Sequence, residues 1–249
     1  MLLRRVADHV QSQNWLAVGL DFFIVVAGVF IGIQLGNWNE GRQVRQSFTE
    51  AQKRLVAESQ ANAETTDQFL TDVSGRLSRA RAAIDILRTC TDGKDAEETL
   101  LTGMETIRGT ATLRLRQTAL SAITGEDDFL SLLEEVERER LKELERRLTQ
   151  AQQTLDWLED RPFTHHIEDQ TNISYGDLID VETIPGVKIR RLTLNNAISE
   201  ICRDEDLHQA FYLWERTATF QHLRGSQVRG WVNENARLMG GDTTFRDKS

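Results

Sequence analysis

A near-continuous apolar segment between Trp15 and Trp38 constrains this chain before any other feature does; its centre, Phe22 to Ile33, reads FFIVVAGVFIGI, twelve apolar or small residues in a row. At about 1.5 Å per residue the run from Trp15 to Trp38 rises roughly 35 Å, which spans a hydrocarbon core with modest tilt. A tryptophan at each end suits the two water-lipid interfaces, because indole buries an apolar body while its N–H stays near water. Arg4 and Arg5 precede the run, but no small-x-small cleavage site follows it. The segment therefore reads as an uncleaved signal anchor rather than a removed leader.

Gly28, Gly32 and Gly36 recur every four residues and form a smooth stripe along the helix, and Asp21, seven residues before Gly28, shares that face. A second helix backbone can approach closely along such a stripe. A carboxyl group about 9 Å inside the tryptophan level is costly against lipid. Two readings stay open: a self-association seam in which Asp21 is a polar lock, or small residues of the ordinary kind with Asp21 reached by interfacial water.

The opening segment LLRRVADHVQSQNWLAVGLDFFIVVAGVFIGIQLGNWNE resembles the start of a family of bacterial single-pass membrane proteins of unknown function. The matching positions are Arg4, Arg5, His9, Asn14, Trp15, Ala17, Val18, Gly19, Asp21, Phe22, Val25, Val26, the run from Gly28 to Gln34, and Asn37, Trp38 and Asn39. Beyond this run the likeness is loose, resting on helical character and on the small-residue and acidic stretch from Ala119 to Leu130. The resemblance implies a membrane-anchored helical protein of proteobacterial type, in the inner membrane, and brings no activity with it.

Beyond the anchor the chain is acidic, with a net charge of −9. Its arginines are interleaved with glutamates, which argues against a phosphate-binding surface and hence against nucleic acid as a partner. Two prolines, Pro162 and Pro185, against sixteen glycines favour long helices over a many-turned sheet. Cys90 and Cys202 fit either two free thiols or one disulfide, and an oxidising compartment would favour the bridge. Arg42, Arg45 and Lys53 outnumber Arg4 and Arg5 across the anchor and lean toward a cytoplasmic domain. The short N-terminal tail and the cysteine pair lean the other way, and the expectation is a periplasmic C-terminal domain.

The expected fold is all-α: a flank (residues 1–14), a transmembrane helix (15–38), a stalk or first long helix (39–89) and an antiparallel helical bundle (90–239), then a disordered tail (240–249). Val44, Phe48, Ala51 and Leu55, then Phe69, Val73, Leu77, Ala80, Ile84 and Leu87, step by three and four along the first helix. A turn with Gly93 ends it, and a shorter helix follows from about Asp95 to Arg108. A second long helix is expected from Glu126 to Glu159, where Leu141, Leu144, Leu148, Ala151, Leu155 and Leu158 make a short heptad seam that suits a coiled coil or packing within the chain. Asn172 to Lys188 reads as loop; helices resume through Leu194 to Ile201 and from Asp206 to about Leu238. Residues 119–138 overlay 197–216 with six identities, which raises an internal repeat of two helix-turn-helix units whose Asp128 and Asp206 cap the longer helices.

Candidate chemistry is sparse. His165, His166, Glu168 and Asp169 form the one cluster worth testing for a metal, but adjacent histidines point about 100° apart and lack the i, i+4 spacing of a helical ligand pair. His208 and His222 lie about 21 Å apart along a helix, too far to share an ion. The chain has no GxSxG turn and no phosphate-cradling glycine loop. Phe211, Tyr212, Trp214, Phe220 and Trp231 could line a groove, though their spacing suits core packing. No catalytic residue, metal or cofactor is implied. The expected protein is a non-catalytic interaction or scaffold protein of the bacterial envelope, whose partners are the lipid bilayer, a second copy through Asp21, Gly28, Gly32 and Gly36, and an envelope protein. A small-ligand-sensing bundle acting through a partner is the alternative, and a metal-dependent hydrolase stands third.

Overall fold

A computed structural model describes residues 15–160, 167–180 and 185–239, with side chains from Gly19 onward. The N-terminal flank, His165 and His166, and the 240–249 tail lie outside the described residues. Helix α1 (Trp15–Thr89) runs without a break for 75 residues, about 110 Å. No proline interrupts it, and its apolar stripe from Phe48 to Leu87 is buried. It ends where Cys90 turns to a φ of 46° and Gly93 to 121°, with the Asp92 carboxylate accepting the Gly93 N–H at 2.9 Å. Helix α2 (Lys94–Ile107) then folds back along α1. Gly103 makes this possible: a Cβ there would lie 2.2 Å from the Ala83 Cβ, so only hydrogen fits where the two helices touch.

After α2 the chain runs without helix or strand through residues 109–117 before the short helices α3 (Thr118–Thr124) and α4 (Asp127–Ser131). Helix α5 (Glu135–Asp160) climbs back, a 3-10 turn at Ile167–Asp169 leads into β1 (Ile173–Asp180) and β2 (Lys188–Leu194), and α6 (Ile198–Ile201) and α7 (Glu205–Leu238) complete the order. The core divides along α1. Its near part gathers Phe48, Leu55, Leu120, Leu141 and Val228, and its far part Val73, Leu87, Leu100, Leu155 and Phe211.

This stretch threads between three helices, and their polar side chains supply the hydrogen bonds that a neighbouring strand would. Asn62 of α1 grips both backbone groups of Arg116, accepting its N–H at 2.8 Å and donating to its carbonyl at 2.7 Å. Gln152 of α5 does the same across two residues, accepting from Leu115 N–H at 2.9 Å and donating to the Leu113 carbonyl at 3.0 Å. From α7, Trp214 donates to Gly109 and Gln221 to Ala111. A buried backbone without such partners would be strongly destabilised. Glu58 of α1 completes the arrangement by accepting the first N–H groups of α3, those of Ala119 and Leu120.

The all-α expectation needs correction at a two-stranded sheet. Residues 173–180 and 188–194, expected as loop up to Lys188 and as the start of a helix at Leu194, pair as an antiparallel hairpin in which Ile173 faces Leu194 and Asp180 faces Lys188. Ile173 and Leu192 are buried, so packing on the far core stabilises a two-stranded unit that would be marginal alone. Gly176 sits at the irregularity between Tyr175 and Leu178, where a Cβ would come within 2.8 Å of Thr193 Cγ2. The second long helix does not run from Glu126: it breaks at residues 132–134 and begins at Glu135. Its heptad residues from Leu141 to Leu158 are buried within the chain.

The two segments proposed as a repeat, 119–138 and 197–216, both place a short helix and a turn before a helix, yet only the second continues unbroken through its length. Their expected caps differ too. Asp204, not Asp206, caps α7, accepting the N–H groups of Asp206 and Leu207 at 3.1 Å. The equivalent Glu126 makes no side-chain cap bond.

Candidate functional site

Three features concentrate chemistry or contact. The first is the apolar stretch of α1, the single helix among the described residues that is long and apolar enough to cross a membrane. Its large side chains, from Phe22 to Leu35, are exposed, and positions Gly28, Gly32 and Gly36 have nothing within 4 Å of where a Cβ would stand. Trp38 closes the stretch, 62 % exposed. Six residues later Val44 already packs against the near core. The bare helix and the folded domain therefore meet within about two turns.

The second feature is the covalent link between Cys90 and Cys202, whose Cα atoms are 5.4 Å apart across a sequence separation of 112 residues. It joins the end of α1 to the C-terminus of α6. Beside it His208 Nε2 lies 3.0 Å from the Cys202 carbonyl, and its ring lies 6.2 Å from that of Tyr212.

The third is an open cleft of about 880 Å³ between α1 and α2, flanked by Arg191 of β2. Arg76 and Arg79, one turn apart on α1, are each held through Nε. Arg76 Nε binds both oxygens of Asp72, and Arg79 Nε donates to Thr106 Oγ1 at 3.1 Å. Glu105, also on the cleft wall, is fully occupied: Oε2 accepts from Arg108 and Oε1 accepts the Leu192 N–H at 2.7 Å, tying hairpin to helix. Arg108 in turn reaches Glu168 at 2.9 Å. Burial alone would lower the Arg108 guanidinium, but the hydrogen bonds to Glu105 and Glu168 outweigh it and raise it above its ordinary range.

The residues singled out by sequence separate accordingly. Glu168 is a partner of Arg108, and no group of three or more His, Cys, Asp and Glu side chains among the described residues is arranged to hold a metal. Phe211 and Trp214 are core, whereas Tyr212 and Phe220 are exposed. Elsewhere on the surface, hydrogen bonds from Arg146 and then Arg147 hold the exposed Glu143 carboxyl down to about 2. The cleft escaped sequence reading, although Arg76 and Arg79 at i, i+3 on an otherwise well-patterned helix were its visible trace. No family model, curated protein or solved structure matches the chain.

Proposed function

We propose that the chain is a single-pass, membrane-anchored interaction protein of the bacterial envelope, with its helical domain on the outer, periplasmic side of the inner membrane. The observation that carries this reading is the continuity of α1. A wholly exposed apolar stretch runs without a break into the helix that forms one wall of both core halves. Exposed in water, that surface would drive aggregation, and a bilayer covers it. The Cys90 to Cys202 bridge supports an oxidising compartment for the domain. Self-association through Gly28, Gly32 and Gly36 belongs to the same reading, because that face of the apolar stretch is open.

Paired C-terminal reporters test the orientation, one active only outside the cytoplasm and one only inside it. Activity of the outside reporter is the expected result, with Cys90 and Cys202 protected from thiol labelling until a reductant is added. Activity of the inside reporter would overturn the compartment and direct the search for partners to the cytoplasm. A second reading, a ligand-sensing domain acting through a partner, is favoured by the cleft between α1 and α2.

A further inference from the structure

We propose that this cleft binds a short zwitterionic peptide, its terminal carboxylate on Arg76, Arg79 and Arg191 and its amine against Glu97 and Glu98. The inference rests on the folded domain alone and holds whichever side of a membrane that domain occupies.

The cleft is electrically two-ended. At one end the Arg79 Nε to Thr106 contact and the Leu192 N–H to Glu105 contact bring α1, the C-terminal half of α2 and β2 together, so Arg76, Arg79 and Arg191 converge there. The acids at that end are already committed. Asp72 is held on Arg76, Glu105 on Arg108 and the Leu192 amide, and Glu168 on Arg108. Four guanidiniums thus stand against three carboxylates. Arg76 and Arg79 are fixed through Nε, and among the described residues their terminal nitrogens carry no hydrogen bond, which leaves two oriented forks, the geometry that suits a carboxylate. Arg191 is exposed and makes no ion pair among the described residues.

At the other end Glu97 and Glu98 line the cleft without an ion pair among the described residues, and Lys94 beside them leaves one net negative charge. Leu101 and Thr102 form the floor between the two ends. From Glu97 and Glu98 to Thr106 the helix rises about 13 Å, and an extended chain of about four residues spans a similar length. A lone small anion would satisfy only one end. An extended peptide with both termini free satisfies both.

Saturation-transfer NMR on the full chain in lipid nanodiscs tests this, with tetraalanine, its C-terminal amide, its N-acetyl derivative and inorganic phosphate as probes. Tetraalanine is expected to bind saturably, and either blocked peptide about tenfold more weakly, as loss of one charge-assisted contact predicts. Arg79→Gln should erase the preference for a free carboxylate, and Glu97→Gln with Glu98→Gln the preference for a free amine, each in a protein that keeps its folded circular-dichroism spectrum. Absence of saturable tetraalanine binding, equal binding of all three peptides to the native protein, or phosphate binding as tightly as tetraalanine would each overturn the proposal.

Discussion

Asp204 shows how one side chain decides where a helix begins. Its backbone is extended, with φ −77° and ψ 103°, and Oδ1 accepts two N–H groups of the first turn of α7. Oδ2 accepts from Asn172 at 2.6 Å, so the same carboxylate pins the entry to the hairpin. Asp206, two residues on, only donates its backbone N–H to that cap. Asp204→Ala should therefore destabilise the domain by about 1 kcal/mol or somewhat more, while Asp206→Ala stays within about 0.5 kcal/mol. Urea denaturation of both variants separates the positions, and equal midpoints would count against the assignment. The acidic turn was legible in the sequence as a helix start. Which of its carboxylates caps was not, because capping depends on which residue keeps extended backbone angles at the helix boundary and RDED offers three acids in a row.

At the scale of elements, the helices were readable wherever apolar residues step by three and four. Phe48 to Leu87 on α1 and Leu141 to Leu158 on α5 are buried as that spacing requires. The hairpin was hidden because Gly176, Pro185 and Gly186 carry loop signals, although Gly176 serves a close approach to Thr193 inside a strand. The threaded segment was hidden for a different reason. Ala111 and Leu113 alternate inward as in a strand, yet no strand lies beside them; their backbone is paired by Asn62, Gln152 and Gln221, amides scattered over three helices. Periodicity cannot reveal such partners. Asn62→Ala strands the N–H and carbonyl of Arg116 and should cost about 1 to 3 kcal/mol. Gln68→Ala, exposed on the same helix, should cost less than about 0.5 kcal/mol. Denaturation midpoints that fail to distinguish the two variants would show that the threaded segment finds its hydrogen bonds elsewhere.

Across the whole molecule, α1 couples its exposed apolar stretch to the domain because its 75 residues form one uninterrupted helix. With about 100° per residue, the centre of the stripe at Gly32 lies roughly 130° around the helix from the buried face of Phe48, Ala51 and Leu55. That geometry sorts exposed positions just above the anchor. Gln43 continues the glycine face, whereas Arg45 points roughly 140° away from it, and both are exposed. In the full chain, Gln43→Cys should form an interchain disulfide on mild oxidation and Arg45→Cys should not, and Gly32→Leu, by placing a bulky side chain in the seam, should abolish the Gln43 cross-link. Cross-linking through both positions alike, or through Gln43 regardless of Gly32→Leu, would remove the seam and leave the copies associating by another face. Cross-linking through Gln43 alone would mean that the rotational phase of one uninterrupted helix sets which faces of the two domains remain free for partners.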